Sequence, residues 1–165
     1  MSSLEFRLAN LDDASDAEAI ASIVNAYAME PQGGGKSLPD DVLQRMAPGL
    51  KQVAGSFVML AVLDGKPVGA AVCFRAFSTF AGRPLINVHD LSVLKEFRGK
   101  GIGTRLLSAV EEYAIAQGCG KVTLEVREAN PLAERLYRRL GYGDPSGFPT
   151  RFLDKPLTGP ASPKE

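Results

Sequence analysis

The chain has 165 residues, 45% of them hydrophobic and 23% charged, the make-up of a water-soluble domain with material for a real core. Nineteen basic side chains balance nineteen acidic ones, so no global field directs it to nucleic acid or a membrane surface, and any anion site has to be local. The longest apolar run, FVMLAVL at 57–63, falls far short of the roughly 20 residues that span a bilayer, and MSSLEFRL at the start has no apolar signal core. A soluble, cytoplasmic protein is expected. Cys73 and Cys119 lie far apart and form no CxxC, so both are read as reduced thiols.

In chain order, LEFRLA at 4–9 alternates as a strand does. Asp12 or Asp13 can cap the helix that follows, in which Ile20, Ile23, Val24 and Tyr27 recur at helical spacing. MEPQGGGKSLP at 29–39 reads as a flexible loop, and DDVLQRM at 40–46 as a short helix stopped by Pro48-Gly49. SFVMLAVL and PVGAAVCFRAF flank Asp64-Gly65-Lys66, a hairpin turn. LINVHDLSV at 85–93 is a third long strand. Residues 101–117 form an amphipathic helix with Ile102, Leu106, Val110, Tyr113 and Ala114 on one face, ended by Gly118.

KVTLEV at 121–126 alternates, with Val122, Leu124 and Val126 on one side and Thr123 and Glu125 on the other. Asn130-Pro131 is an N-cap followed by a first-position proline, opening a helix with Ala133, Leu136, Tyr137 and Leu140 on one stripe, closed by Gly141. TRFLDKPL at 150–157 reads as a last strand. The class is α/β with a mixed central sheet, one domain over 1–157 and a disordered tail over 158–165.

Three glycine-rich phosphate sites can be weighed. GGGKS at 33–37 ends like a Walker A loop, but its first glycine would fall at Glu30 and the loop follows a helix instead of a strand. A GxGxxG fingerprint starting at Gly99 or Gly101 would need glycine at Thr104 or Leu106. What remains is Arg98-Gly99-Lys100-Gly101-Ile102-Gly103 between a strand and a helix. Backbone N–H groups at a helix start bind anions, glycines let a diphosphate approach, and Arg98 and Lys100 add charge.

DLSVLKEFRGKGIGTRLL followed by LEVREANPLAERLYRRLGY resembles the GNAT superfamily of acyl-CoA-dependent N-acetyltransferases. The family's Arg/Gln-x-x-Gly-x-Gly/Ala motif is present at 98–103, and its downstream pattern as Asn130, Tyr137 and Leu140-Gly141-Tyr142. The specific match covers 88–142. The resemblance implies a mostly antiparallel sheet with helices on both faces and a splayed parallel strand pair, here 88–93 and 121–126. It implies acetyl-CoA as co-substrate and no metal. The pantetheine arm would lie in the gap against Leu91, Ser92 and Val93, and the diphosphate on the amides of Arg98, Gly99, Lys100, Gly101, Ile102, Gly103 and Thr104. Asn130 and Tyr137 would complete the cofactor site.

The same resemblance implies direct attack of a primary amine on the thioester, with a backbone N–H near Leu91 polarising the carbonyl. At pH 7 a primary amine with a pKa near 10.4 is almost wholly protonated, so a base is needed, and an acid should protonate the leaving thiolate. Tyr137 resembles the family's acid; a core aromatic on the helix stripe is its other reading. The base is left between Glu125, His89 and water: Glu125 can equally be a solvated strand glutamate, and His89, the only histidine, a structural one. Asp90 could orient either, or bind a cationic acceptor.

The acceptor is expected to be a small-molecule amine or amino acid. A protein N-terminus or lysine is the alternative, and a non-catalytic acetyl-CoA-binding module a rival of another class. Arg75, Arg83 and Arg151, in the family's variable parts, would suit a carboxylate-bearing acceptor. No nucleic acid or membrane partner is expected, and a homodimer is compatible with the family.

Overall fold

A computed structural model describes residues 3–157; the tail expected at 158–165 lies outside the described residues. Strands β1 (Leu4–Leu8), β2 (Ser56–Leu63), β3 (Lys66–Ser78), β4 (Arg83–Val93) and β5 (Val122–Leu124) lie side by side in that order. The first four pair antiparallel, while β4 and β5 are parallel. Helices α1 (Ala14–Ala28) and α2 (Asp40–Gln52) cover one face, α3 (Ile102–Ala116) the other, and α4 (Pro131–Arg139) follows β5.

The uninterrupted apolar run of β2 is explained by burial on both faces. Met59 and Ala61 pack with Leu106, Leu107 and Val110 of α3, while Val58, Leu60 and Val62 pack with Ile20 and Ile23 of α1. Each such leucine, isoleucine or valine contributes about 1.5–3 kcal/mol when fully removed from water. Cys73 and Cys119 are both buried, unpaired members of the α3-side core.

The local signals act largely as read. Asp13 is the cap of α1, its side chain accepting from the Asp16 amide, and Asn130 caps α4 by accepting from the Ala133 amide. Asp64 and Gly65 take the positive φ, 49° and 78°, of a tight hairpin turn. Arg7 ties the first strand to the first helix through a two-pronged pair with Asp16, at 2.8 and 2.7 Å, and the Asn10 amide donates to the same carboxylate at 2.8 Å.

Three expectations are corrected. Helix α2 runs through Pro48 to Gln52 instead of stopping at it. The proline leaves the Gln44 carbonyl without its usual donor, but Gln44 is exposed to water, and Met46 and Leu50 anchor both sides of the break on the α1-side core. The strand read over 121–126 shrinks to Val122–Leu124, with Val126 exposed. Residues 150–157 form no strand: Phe152 and Leu153 are adjacent and both largely exposed, so the run has no alternating face to bury.

Candidate active site

The last paired positions of β4 and β5 are Val88 and Leu124. Beyond them β4 continues to Val93 while β5 ends, so the sheet opens into a gap floored by neither strand. His89, still on β4, and Glu125, the first residue after β5, come next along the chain and flank the apex of the gap.

His89 is also the extra residue of a bulge. Val72 pairs with Asp90 and Cys73 with Val88, leaving His89 unpaired on β3. Its ring meets Phe74 edge-on, with centroids 5.5 Å apart, on the α1 side of the sheet. The bulge resets the alternation: Ile86 and Val88 before it and Leu91 and Val93 after it all pack on the α3 side. Asp90 makes no side-chain hydrogen bond among the described residues, and burial pushes its carboxyl above the ordinary carboxylate value, with His89 opposing.

After β4 the chain passes through a short turn, Lys95–Phe97, into the glycine segment. Gly99 and Gly101 sit at φ 74° and 75°, left-handed conformations that favour glycine. Gly101 caps α3 without a side-chain hydrogen bond, and the first turn of the helix carries no acidic residue. The N–H groups of Ile102, Gly103 and Thr104 therefore point from the helix start without a helical partner, an anion site made of backbone.

These amides face a groove of about 500 Å³ between β4, the start of α3 and α4. Leu91, Ser92 and Val93 form one wall, Arg98, Gly99, Gly101, Ile102, Gly103 and Thr104 the end, and Asn130 and Tyr137 the far wall with Ala133 and Leu136. Of the cofactor residues expected from sequence, Lys100 alone stays outside: its ammonium lies over the Phe97 ring, 5.4 Å from the centroid. His89 and Glu125 flank the apex and do not line this groove. Burial raises the Tyr137 phenol above its ordinary value, with Tyr27 adding to the rise, which keeps the hydroxyl protonated at neutral pH. Tyr137 also packs against the α3-side core, as its place on the helix stripe leads one to expect.

Sequence reasoning did not foresee that Tyr27, Glu30 and Gln32, from the end of α1 and the turn after it, close the groove on its third side. Glu30 accepts from Arg98 Nη1 at 2.9 Å and Nη2 at 2.5 Å, and Arg98 Nε donates to the Val93 carbonyl at 2.7 Å. The pair holds the Glu30 carboxyl below its ordinary value. Glu30 and Arg98 are 68 positions apart, and no local pattern announces such a contact.

A gap between parallel strands, with a glycine-rich helix start at one end and a tyrosine on the far wall, is the architecture of an acyl-CoA-dependent transferase. The sequence model of the Acetyltransferase (GNAT) family matches residues 20–142. An uncharacterized N-acetyltransferase of Bacillus subtilis, YhfO, is 30% identical over 148 residues, covering 86% of this chain and 93% of that protein. Thialysine N-epsilon-acetyltransferase of Mus musculus is 36% identical over 77 residues, 47% of this chain and 45% of that one. Among solved structures, the aminoglycoside N-acetyltransferase AAC(6')-Iy in complex with CoA superposes with a TM-score of 0.75 at 18% identity, over 95% of this chain and 97% of that chain. A possible acetyltransferase from Clostridium difficile 630 gives a TM-score of 0.78 at 21% identity, over 94% and 99%.

The chain belongs to the GNAT acetyltransferase family. It is an acyltransferase that uses acetyl-CoA and transfers acetyl to an amine. No helix among the described residues is long and apolar enough to cross a membrane.

Proposed function

We propose that this chain, as a single domain over 1–157, acetylates a small-molecule amine that carries further positive charge. The observation that carries the proposal is the pairing of two features: an uncapped glycine-lined helix start at one end of the groove, and at the apex the Asp90 carboxyl, which makes no side-chain hydrogen bond among the described residues. The diphosphate of acetyl-CoA lies on the amides from Gly101 to Thr104, and the pantetheine arm runs along Leu91 to Val93.

The thioester carbonyl is polarised by the Leu91 N–H. The amine nitrogen attacks the carbonyl carbon, the new C–N bond forms, and the C–S bond breaks from the tetrahedral adduct. The thiolate takes its proton from the Tyr137 hydroxyl, and the proton of the amine goes to a base at the apex. His89 is assigned that role, because histidine is the side chain that ordinarily titrates nearest the working pH, with Glu125 across the gap as its competitor.

A cationic acceptor is favoured over a carboxylate-bearing one by the acidic side chains at the apex, Asp90 and Glu125, and the three arginines singled out from sequence lie elsewhere. The Arg75 amide bonds the Gly55 carbonyl at 2.8 Å, Arg83 packs beside Gly120 at the start of β4, and Arg151 is in the exposed irregular segment. None lines the groove. Asp90 does not line the groove either, but it lies beside the bulge at the apex, where it offers a carboxyl to a cation. Release of free CoA should be measured with diamines and aminoglycosides against amino acids and N-terminal peptides. Polycationic acceptors should give the higher kcat/KM, and Asp90→Asn should abolish that preference. A wild-type preference for amino acids would overturn the acceptor assignment.

A further inference from the structure

We propose that Glu30 is a positioning residue that straps the α1–α2 connection across the acyl-CoA groove, and that the Arg98 guanidinium anchors this strap instead of serving as a diphosphate ligand. The inference rests on the reading that the groove holds acetyl-CoA. Its geometry involves three separate parts of the chain. From the β4–α3 connection, Arg98 grips the Glu30 carboxylate with both terminal nitrogens while its Nε is held by the Val93 carbonyl. From the β5–α4 connection, Arg127 Nη1 donates to the Gln32 carbonyl at 2.9 Å. The two residues gripped, Glu30 and Gln32, are two positions apart and both line the groove.

The turn is built to be stiff between these anchors. The Gly33 and Gly35 amides both donate to the Glu30 carbonyl at 2.9 Å, and the Lys36 amide returns to the Ala28 carbonyl at 3.2 Å. A Cβ on Gly33 would come within 2.0 Å of the Tyr27 carbonyl oxygen, so the turn lies directly on the end of α1. The strap thereby joins the two walls of the groove, and it carries Tyr27 in against them.

Arg98 is spent in this arrangement. Three of its five N–H groups are held by protein acceptors, and its charge is balanced by a carboxylate in bidentate geometry. The charge that the motif offers a diphosphate is then supplied by the backbone amides and the helix dipole. A tethered turn also explains why a glycine-rich stretch that reads as a loose loop lines the site at all.

The test is a double-mutant cycle on the full chain with Glu30→Gln, Arg98→Gln and the pair together, assayed with acetyl-CoA and with S-acetyl-pantetheine, which has no diphosphate. Each single variant should raise the KM for acetyl-CoA about tenfold while kcat falls less than threefold. The double variant should be no worse than the worse single, because both remove one contact. The fold-loss of Arg98→Gln in kcat/KM should be the same with both donors. Arg127→Gln, which leaves Arg98 untouched, should raise the KM in the same direction.

An Arg98→Gln loss that disappears with S-acetyl-pantetheine, or additive single effects, would show Arg98 to be a diphosphate ligand and overturn the proposal. A lower KM in Glu30→Gln would overturn it too, by showing that Glu30 competes with the cofactor. Wild-type protein that binds no acetyl-CoA in calorimetry would strike instead at the reading of the groove.

Discussion

Gly103 stands over Val93 across the mouth of the groove: a methyl built on Gly103 would rest 3.8 Å from Val93 Cγ2 and 3.9 Å from Leu136 Cδ2. Those are ordinary contacts, so the protein itself does not require glycine there. Gly99 and Gly101 differ, because their positive φ strains any other residue whatever the space around them. The three glycines of the motif thus separate into two that shape the backbone and one that the protein's own packing does not require.

Gly103→Ala is accordingly the clean test of close approach. The apo protein should melt at the same temperature or higher, since alanine improves a helix by about 1 kcal/mol over glycine. Acetyl-CoA should stabilise the wild type by about 2.7 kcal/mol at a hundredfold excess over its Kd, a shift of roughly 5–10 °C for a domain of this size. In Gly103→Ala most of that shift should be lost. Gly101→Val, by contrast, should lower the melting temperature of the apo protein as well.

Tyr137→Phe keeps the ring and its packing with the α3-side core and removes only the hydroxyl. The expected fall in kcat is about 10²–10³, within the range for a lost general acid, with acetyl-CoA binding little changed. Because burial raises the phenol above its ordinary value, the acid stays loaded through neutral pH, and any alkaline limb of kcat that it sets lies above the ordinary tyrosine range. That limb should be missing in the variant. Normal turnover with a lowered melting temperature would make Tyr137 a core residue alone.

His89→Gln and Glu125→Gln address the apex. The pH profile of kcat/KM should lose its acidic limb in His89→Gln and keep it in Glu125→Gln. The reverse result would move the base across the gap, and two unchanged profiles would leave the proton to water.

Asp16→Asn probes the fold away from the site. The carboxyl is held below its ordinary value chiefly by the Arg7 hydrogen bonds, with the Asn10 amide helping and burial opposing. Losing charged hydrogen bonds of this kind costs about 1.5–3 kcal/mol, which urea unfolding at neutral pH should report. A depressed folded pKa means that the stabilisation is present above the unfolded value of about 3.9 and is lost as pH falls through the lower folded value. Wild type and variant should therefore converge in stability below about pH 4.

Much of the fold was readable because it is locally encoded. The stripe from Ile102 to Ala114, the Asp64-Gly65 turn and the Asn130-Pro131 cap each carry their own signal. The groove end formed by residues 98–104 was readable for the same reason, since its glycines are spaced through one short segment of the sequence. What escaped was decided by distant partners. Pro48 stays helical because residues on both sides of it are anchored on α1 and β2, Lys100 turns to Phe97, and Glu30 finds Arg98 across the molecule. The bulge at His89 left no trace either, since neither glycine nor proline marks it in VHDLSV.

That extra residue makes β4 a strand written in two phases. Before His89 the even-numbered residues Ile86 and Val88 turn to α3; after it the odd-numbered Leu91 and Val93 do. Deleting His89 would close the bulge: Val88 would stay opposite Cys73 and Asp90 opposite Val72 in an unbroken ladder, with Leu91 and Val93 still on the α3 side. Substituting His89 alters one imidazole, whereas deleting it would straighten β4 and remove the bend that the bulge puts at the apex of the gap. A chain length, and not only a side chain, is therefore part of this active site.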